Sequence, residues 1–278
     1  MKRILFPTDF SETATNAFVH ALEFAKIVQG ELILLHTFEL PVFDNQFFPE
    51  NYMVIYESLE LSQFDMFKEE IPKLRSIAEE RGLSKIKMTH RLMDGGLLYN
   101  IEKSIKDDKI DYVIMGTEGA TGWSAIFSGT NTGNVLTDID VPLLSIPSEA
   151  IYNKIQNIGF TTRFRPKDKK ALKEVLEITK LADAKLKCLY VKTSKSDVTK
   201  ETIKKWEEEF VNEPVEFFVI TSDEVKDTIL DFILYKEIDV LTMLTYKRGF
   251  FEGIIHPSLT KKFANSFEIP ILSIHIKP

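Results

Sequence analysis

The sequence contains an internal repeat, and this repeat constrains the fold more than any other feature. Residues 158–164 align with residues 4–10 at an offset of 154, and residues 269–274 align with residues 141–146 at an offset of 128. A chain of 278 residues is long enough for two domains of about 100–150 residues each. The sequence therefore predicts two copies of one domain in tandem.

Each copy alternates strand-like and helix-like segments. Residues 32–35 form a contiguous apolar run, as expected for a strand buried on both faces of a parallel sheet. Residues 14–28 carry apolar side chains at spacings of three and four, which is the helical pattern. We expect two doubly wound, Rossmann-like α/β domains with parallel sheets, at residues 1–147 and 152–278, related by a pseudo-twofold axis.

A glycine-rich loop follows the strand-like run at residues 112–115. Its glycines are Gly116, Gly119 and Gly129, and Thr130 comes directly after the last of them. Glycine lets backbone amides approach an anion closely, and the N-terminus of a following helix favours a phosphate. Strand, glycine loop and helix in this order predict a phosphate-binding site at the carboxyl edge of the sheet.

The spacing of this loop resembles the nucleotide-binding signature of the universal stress protein family. That signature is glycine, two residues, glycine, nine residues, glycine, then serine or threonine, and all four positions match. Residues 4–11 and Pro142 also look like the opening and closing strands of the family. The resemblance implies ATP binding in the first copy. The adenosine would be bordered by Pro7, Asp9 and Thr37 and would lie above Met115 and Gly116. The phosphates would be held by Gly119, Gly129, Thr130 and Asn131.

Two positions depart from the family pattern. Glu118 stands where many members carry histidine or another polar residue, and Ala120 stands where many carry arginine. A carboxylate beside phosphates repels them unless it points away or a divalent cation lies between. We therefore expect ATP to bind with Mg²⁺ or Mn²⁺. Asp9 has an alternative role as the N-cap of the following helix.

The second copy lacks the glycine motif. At the aligned positions Leu244, Lys247 and Pro257 replace the three glycines, and Arg163 replaces Asp9. Proline has no amide hydrogen, and leucine adds bulk where the backbone has to approach the ligand. We expect one ATP per chain and a degenerate second domain that acts as a structural partner. The cations of this copy leave open the binding of another anion.

Composition narrows the remaining possibilities. The net charge of −7 disfavours a general nucleic-acid binder. Asp9 interrupts the N-terminal segment before the apolar core of a signal peptide can form, and no apolar run is long enough to span a membrane. Cys188 is the single cysteine, which suits a reducing compartment. We therefore expect a cytoplasmic protein without membrane contact. The five histidines are scattered, which argues against a transition-metal site, and no catalytic residue is assigned.

The sequence thus predicts an ATP-binding universal stress protein that acts as a stress-response sensor or chaperone-like module. One alternative is a slow ATPase or autophosphorylating enzyme using Thr130; another is a nucleotide-free interaction protein. The aromatic residues of segment 41–57 are too many to leave in water, so this segment is either a homodimer interface or a lid over the nucleotide. Universal stress proteins commonly dimerise through the closing strand, which a tandem chain can pair internally.

Overall fold

The apolar runs of the sequence form the strands of a mostly parallel α/β structure. The computed structural model describes residues 1–39, 52–117, 139–245 and 269–276. The chain divides into two compact units, Met1–Met115 and Gly116–Pro278. The predicted α/β class is confirmed.

The first unit is built around four parallel strands. Their order is β3-β2-β1-β4. The elements through the end of the fourth strand are β1 (Arg3–Pro7), α1 (Glu12–Ile27), β2 (Glu31–Phe38), α2 (Tyr52–Glu80), β3 (Met88–Asp94), α3 (Leu97–Asp108) and β4 (Tyr112–Thr117).

The second unit contains a longer sheet with one antiparallel strand. The order is β5-β10-β9-β6-β7-β8, in which only β5 runs antiparallel to its neighbour β10 among the pairs described. Its elements are β5 (Leu143–Pro147), β6 (Asn157–Thr161), α4 (Pro166–Leu181), β7 (Lys185–Lys192), α5 (Lys200–Glu209), β8 (Val215–Thr221), α6 (Val225–Tyr235), β9 (Val240–Thr245) and β10 (Ile271–His275).

The repeat seen in the sequence is also present in the backbone. Six described residues other than glycine have a positive φ, a conformation uncommon for side chains with a Cβ. They form three pairs at the repeat offsets: Phe10 (62°) with Phe164 (54°), Gln29 (53°) with Asp183 (54°), and Lys109 (53°) with Glu237 (50°). The two copies therefore turn their chains in the same way after β1 and β6, after α1 and α4, and before β4 and β9.

Equivalent aspartates anchor equivalent strands. The Asp111 carboxylate accepts the amide hydrogen of Arg3 at 2.8 Å, and the Asp239 carboxylate accepts that of Asn157 at 2.8 Å. Each bond ties the beginning of the fourth strand of a copy to the beginning of its first. This explains why an Ile-Asp pair recurs at both places in the sequence.

The closing strands of the two copies, β5 and β10, pair with each other. Leu144 lies opposite Leu272, and Leu143 and Ser145 lie opposite Ser273 and Ile271. Every residue is thus paired symmetrically about two aligned leucines, as a local twofold axis requires. The expectation that a tandem chain pairs its closing strands internally is confirmed.

Some predicted boundaries differ from the structure. The sequence of residues 41–57 predicts an irregular segment, but residues 52–57 belong to α2, which begins at Tyr52. The sequence also predicts a strand at residues 86–91, and the structure has this strand at Met88–Asp94. The first compact unit ends at Met115, before the predicted domain boundary at residue 147, and β5 lies in the second unit with its partner strand β10. The domain boundaries at 147 and 152 stay a prediction.

Cys188 lies in the core of the second unit. It is buried in β7, and this burial, with a smaller contribution from the Asp168 carboxylate, raises the pKa of its thiol well above the ordinary value of 9.0. The thiol is therefore protonated at neutral pH, as is usual for a structural cysteine in a core.

Glu31 provides a pH-dependent contribution to stability. Its buried carboxylate lies 2.5 Å from the Lys87 ammonium and 3.1 Å from Nε of Arg3, and these cations, Lys87 first, hold the pKa of Glu31 below its ordinary value of 4.5. A native pKa below the unfolded one stabilises the fold above the unfolded pKa, and this stabilisation is lost as the pH falls through the native pKa.

Glu31→Gln is therefore expected to lower the free energy of unfolding by about 1–2 kcal/mol at pH 7. The difference from the wild type should shrink at an acidic pH below the native pKa of Glu31, which itself lies under 4.5, because the carboxylate is then protonated in both states. Urea unfolding at both pH values measures it, with the exposed Glu79→Gln as control. An equal difference at both pH values would contradict the assignment.

Candidate functional site

The carboxyl ends of β2, β1 and β4 lie side by side at one edge of the first unit. The chain passes from β1 outward to β2 and β3, then returns to the other side of β1 as β4. The order of strands therefore reverses between β1 and β4. Ligands of open α/β sheets bind in the crevice at such a reversal.

The turn after β1 presents Asp9 at this edge. The hydroxyl of Thr8 accepts the Phe10 amide hydrogen at 3.0 Å, and Oδ1 of Asp9 accepts the Ser11 amide hydrogen at 3.0 Å. Asp9 is exposed, and its other oxygen, Oδ2, has no hydrogen bond to any residue that the structure describes. That oxygen can accept a hydrogen bond from a ligand.

Ser11, and not Asp9, is the N-cap of α1. The Ser11 hydroxyl accepts the Ala14 amide hydrogen at 3.1 Å. The alternative role considered for Asp9 is therefore wrong, because a serine two residues later accepts a free amide hydrogen of the first turn of the helix. Asp9 closes only the short loop that precedes the cap.

A histidine of β2 forms a hydrogen bond with the turn that follows β1. His36 is buried, and its Nδ1 donates to the carbonyl oxygen of Thr8 at 2.7 Å, while its ring lies 5.0 Å from the ring of Phe10. The next residue, Thr37, is half-buried at the carboxyl end of β2. The hydrogen bond of His36 to the turn has no signature in the pattern of residue types.

Strands β1 and β4 contribute the remaining described residues. Pro7 is buried at the end of β1, and Met115 is buried in β4. Gly116 follows Met115 in the same strand and is half-buried. The other predicted phosphate ligands, Gly119, Gly129, Thr130 and Asn131, lie outside the described residues, as does Glu118, and their roles stay predictions.

The second unit has the same turn with a different side chain exposed. The Thr162 hydroxyl accepts the Phe164 amide hydrogen at 2.8 Å, and the Thr162 amide donates to the Leu189 carbonyl at 2.9 Å, matching Thr8, Phe10 and Leu35 of the first copy. Arg163 occupies the place of Asp9. The geometry of the turn is retained while its charge is reversed.

Neither a metal cluster nor a membrane span is found in the described structure. The described residues contain no group of three or more histidine, cysteine, aspartate or glutamate side chains placed to hold a metal ion. A search of the same residues finds no helix that is both long and apolar enough to cross a membrane.

Comparison with known proteins agrees with the mostly parallel α/β fold. The universal stress protein family model matches residues 1–147. Universal stress protein MJ0577 of Methanocaldococcus jannaschii is 30% identical over 152 residues, which are 52% of this chain and 94% of that protein. A second protein of that organism, universal stress protein MJ0531, is 26% identical over 145 residues, or 52% of this chain and 81% of its own length.

A solved structure covers the whole chain. A universal stress protein from Archaeoglobus fulgidus superimposes with a TM-score of 0.74 at 17% identity and covers 98% of each chain. This similarity shows the fold across both copies. The chain belongs to the universal stress protein family.

Proposed function

We propose that this chain binds one ATP at the carboxyl edge of its first copy. The observation that carries the proposal is the reversal of strand order between β1 and β4, where Asp9 presents an unused carboxylate oxygen. A ribose hydroxyl is a suitable donor to that oxygen. The adenosine would lie against Pro7, Thr37, Met115 and Gly116, and the phosphates against Gly119, Gly129, Thr130 and Asn131.

The proposed role is that of a nucleotide-dependent stress-response sensor or chaperone-like module in the cytoplasm. Membership of the universal stress protein family supports the stress-response part. The competing enzyme function is slow ATP hydrolysis or autophosphorylation at Thr130. Phosphate release by the wild type and by Thr130→Ala separates the two, since a sensor needs no turnover.

Calorimetry with ATP is the direct test, and we expect one site per chain. Protein purified without added ligand and then denatured should release adenine nucleotide. Mg²⁺ or Mn²⁺ should strengthen ATP binding if Glu118 faces the phosphates, whereas adenosine binding should be the same in chelator. Two equivalent sites, or no binding with no released nucleotide, would contradict the proposal and favour an interaction protein without a nucleotide.

A homodimer through segment 41–57 remains a proposal. Most of this segment lies outside the described residues. The internal pairing of β5 with β10 supports the idea that any contact between two chains uses another surface. The lid over the nucleotide is the competing use of the segment.

A further inference from the structure

The second copy has a cavity at the carboxyl edge of its sheet. The cavity has a volume of about 640 Å³ and lies at the carboxyl ends of β6, β7 and β9, beside the beginning of α6. Volumes of roughly 300–1,000 Å³ are typical of sites that bind small molecules. The described residues that line it all belong to the second copy, and none of them is a residue of the proposed ATP site.

Most of the inner wall of this cavity is apolar. Strands β7 and β9, helix α6 and the segment before α5 all contribute to it. Apolar residues of the wall are Leu189, Val191, Val198, Val225, Ile229 and Met243. Apolar surface that a ligand covers here is removed from water, and this favours binding in proportion to the area buried.

The differences from the first copy make this edge less polar. Val191 takes the place of Thr37, so a methyl group replaces a hydroxyl. Leu244 takes the place of Gly116 and is buried, so an aliphatic side chain lines the cavity where the first copy has none. These replacements remove contacts suited to a nucleotide and add contacts suited to an apolar molecule.

Two cations at the mouth of the cavity have carboxylates beside them. Arg165 forms a two-pronged ion pair with Asp197, with nitrogen–oxygen distances of 2.7 and 2.9 Å. Lys195 lies near Asp223. Hydrogen bonds from Ser194, and then the charge of Lys195, hold the pKa of the Asp223 carboxyl below its ordinary value of 3.8. Both carboxylates are therefore ionised at neutral pH and offset the two cations.

The third cation of the mouth, Arg163, also has a carboxylate next to it. The fully buried Asp168 accepts the amide hydrogen of Arg163 at 2.8 Å. Three cations and three carboxylates thus meet at the mouth, and the described residues give it no excess of positive charge. The anion that the sequence of this copy left open is accordingly not favoured, since an ionised ligand would leave water without an opposite charge to receive it.

A buried tyrosine adds one neutral polar group to the lining. Tyr190 takes the place of His36 and is 4% exposed. Its ring contacts that of Phe164, but its hydroxyl has no hydrogen bond to any residue that the structure describes. Buried hydroxyls are usually paired, and a phenol can both donate and accept. A polar, uncharged group of a ligand would satisfy it.

We propose that this cavity is a second ligand site that binds an uncharged small molecule with an apolar body and one hydrogen-bonding group. The apolar wall covers the body, and the Tyr190 hydroxyl pairs with the polar group. The balanced charges at the mouth select against ions of either sign, because neither finds a surplus of the opposite charge there.

The dye N-phenyl-1-naphthylamine tests this proposal. It has an aromatic body, one N–H group and no charge, and its fluorescence rises in apolar surroundings. We expect a titration to give one dye site per chain. The matched probe 1-anilinonaphthalene-8-sulfonate has the same body with an added sulfonate, and it should bind no more tightly than the uncharged dye.

Two substitutions fill the cavity from different sides. Val225→Trp lies at the start of α6 and Val198→Trp lies before α5, and both valines are half-exposed, so neither change forces a large ring into the core. Each should weaken binding of the uncharged dye at least about tenfold. Val211→Trp makes the same change at an exposed valine outside the described lining, should bind like the wild type, and controls for the fluorescence of the added tryptophan.

Tyr190→Phe removes only the hydroxyl and should weaken binding of the uncharged dye about two- to tenfold. Tyr235→Phe, at an exposed tyrosine outside the described lining, is its control and should have no effect. The proposal is overturned if the wild type does not bind the uncharged dye, if both tryptophan variants bind it unchanged, or if the sulfonated probe binds more tightly. Unchanged binding in Tyr190→Phe would overturn the role given to its hydroxyl.

Discussion

Asp168→Ala is expected to lower the free energy of unfolding of the second unit by about 3–5 kcal/mol. Three donors lose their acceptor at once: the Thr162 hydroxyl at 2.8 Å, the Arg163 amide at 2.8 Å and the Arg165 amide at 3.2 Å. The first of these bonds is buried and the other two are partly buried, so leaving the donors unpaired costs more than the hydrogen bonds contribute in net terms. Asp168→Asn keeps one oxygen acceptor and should lose less.

Urea unfolding in a Trp123→Phe background measures this effect. Trp206 is then the only tryptophan, and its buried ring lies 5.0 Å from Phe164 in the same turn. Glu174→Ala, at an exposed position of the same helix, should change the free energy by no more than about 0.5 kcal/mol. A loss below about 1 kcal/mol in Asp168→Ala would mean that other groups satisfy the turn.

Asp9→Asn is expected to weaken ATP binding about 10- to 100-fold without unfolding the protein. The amide oxygen of asparagine can still accept the Ser11 amide hydrogen, so the turn after β1 is retained. The second carboxylate oxygen becomes an NH₂ group, which cannot accept a hydrogen from a ribose hydroxyl. Calorimetry measures the loss.

Glu12→Ala is the matched control for Asp9→Asn. It removes one negative charge from an exposed position three residues later, in the first turn of α1. Its ATP affinity should stay within about twofold of the wild type if Asp9 acts through a direct hydrogen bond. Equal losses in the two variants would show that general charge, and not the Asp9 acceptor, controls binding.

The internal repeat made the fold class predictable, because two alignments of apolar runs fixed both the strands and their number of copies. It also located the turn of Asp9, since the strand before it is plainly apolar. The N-cap was less certain from sequence: Asp9 and Ser11 are both suitable caps, and only the backbone geometry selects Ser11.

Other features have no signal in a single sequence. Asp168 aligns with Ala14 of the first copy, so nothing in the repeat marks it as the residue that holds a turn. Gln29 and Lys109 adopt a positive φ without being glycine or asparagine, because the surrounding helix ends and strands impose it.

The symmetric pairing of β5 with β10 has a consequence for how the protein responds to dilution. Two separate chains that meet through equivalent strands come apart as their concentration falls. Here both strands belong to one polypeptide, so their pairing is intramolecular and does not depend on the concentration of the protein. Leu144 and Leu272 therefore stay opposite one another however few copies of the protein a cell contains.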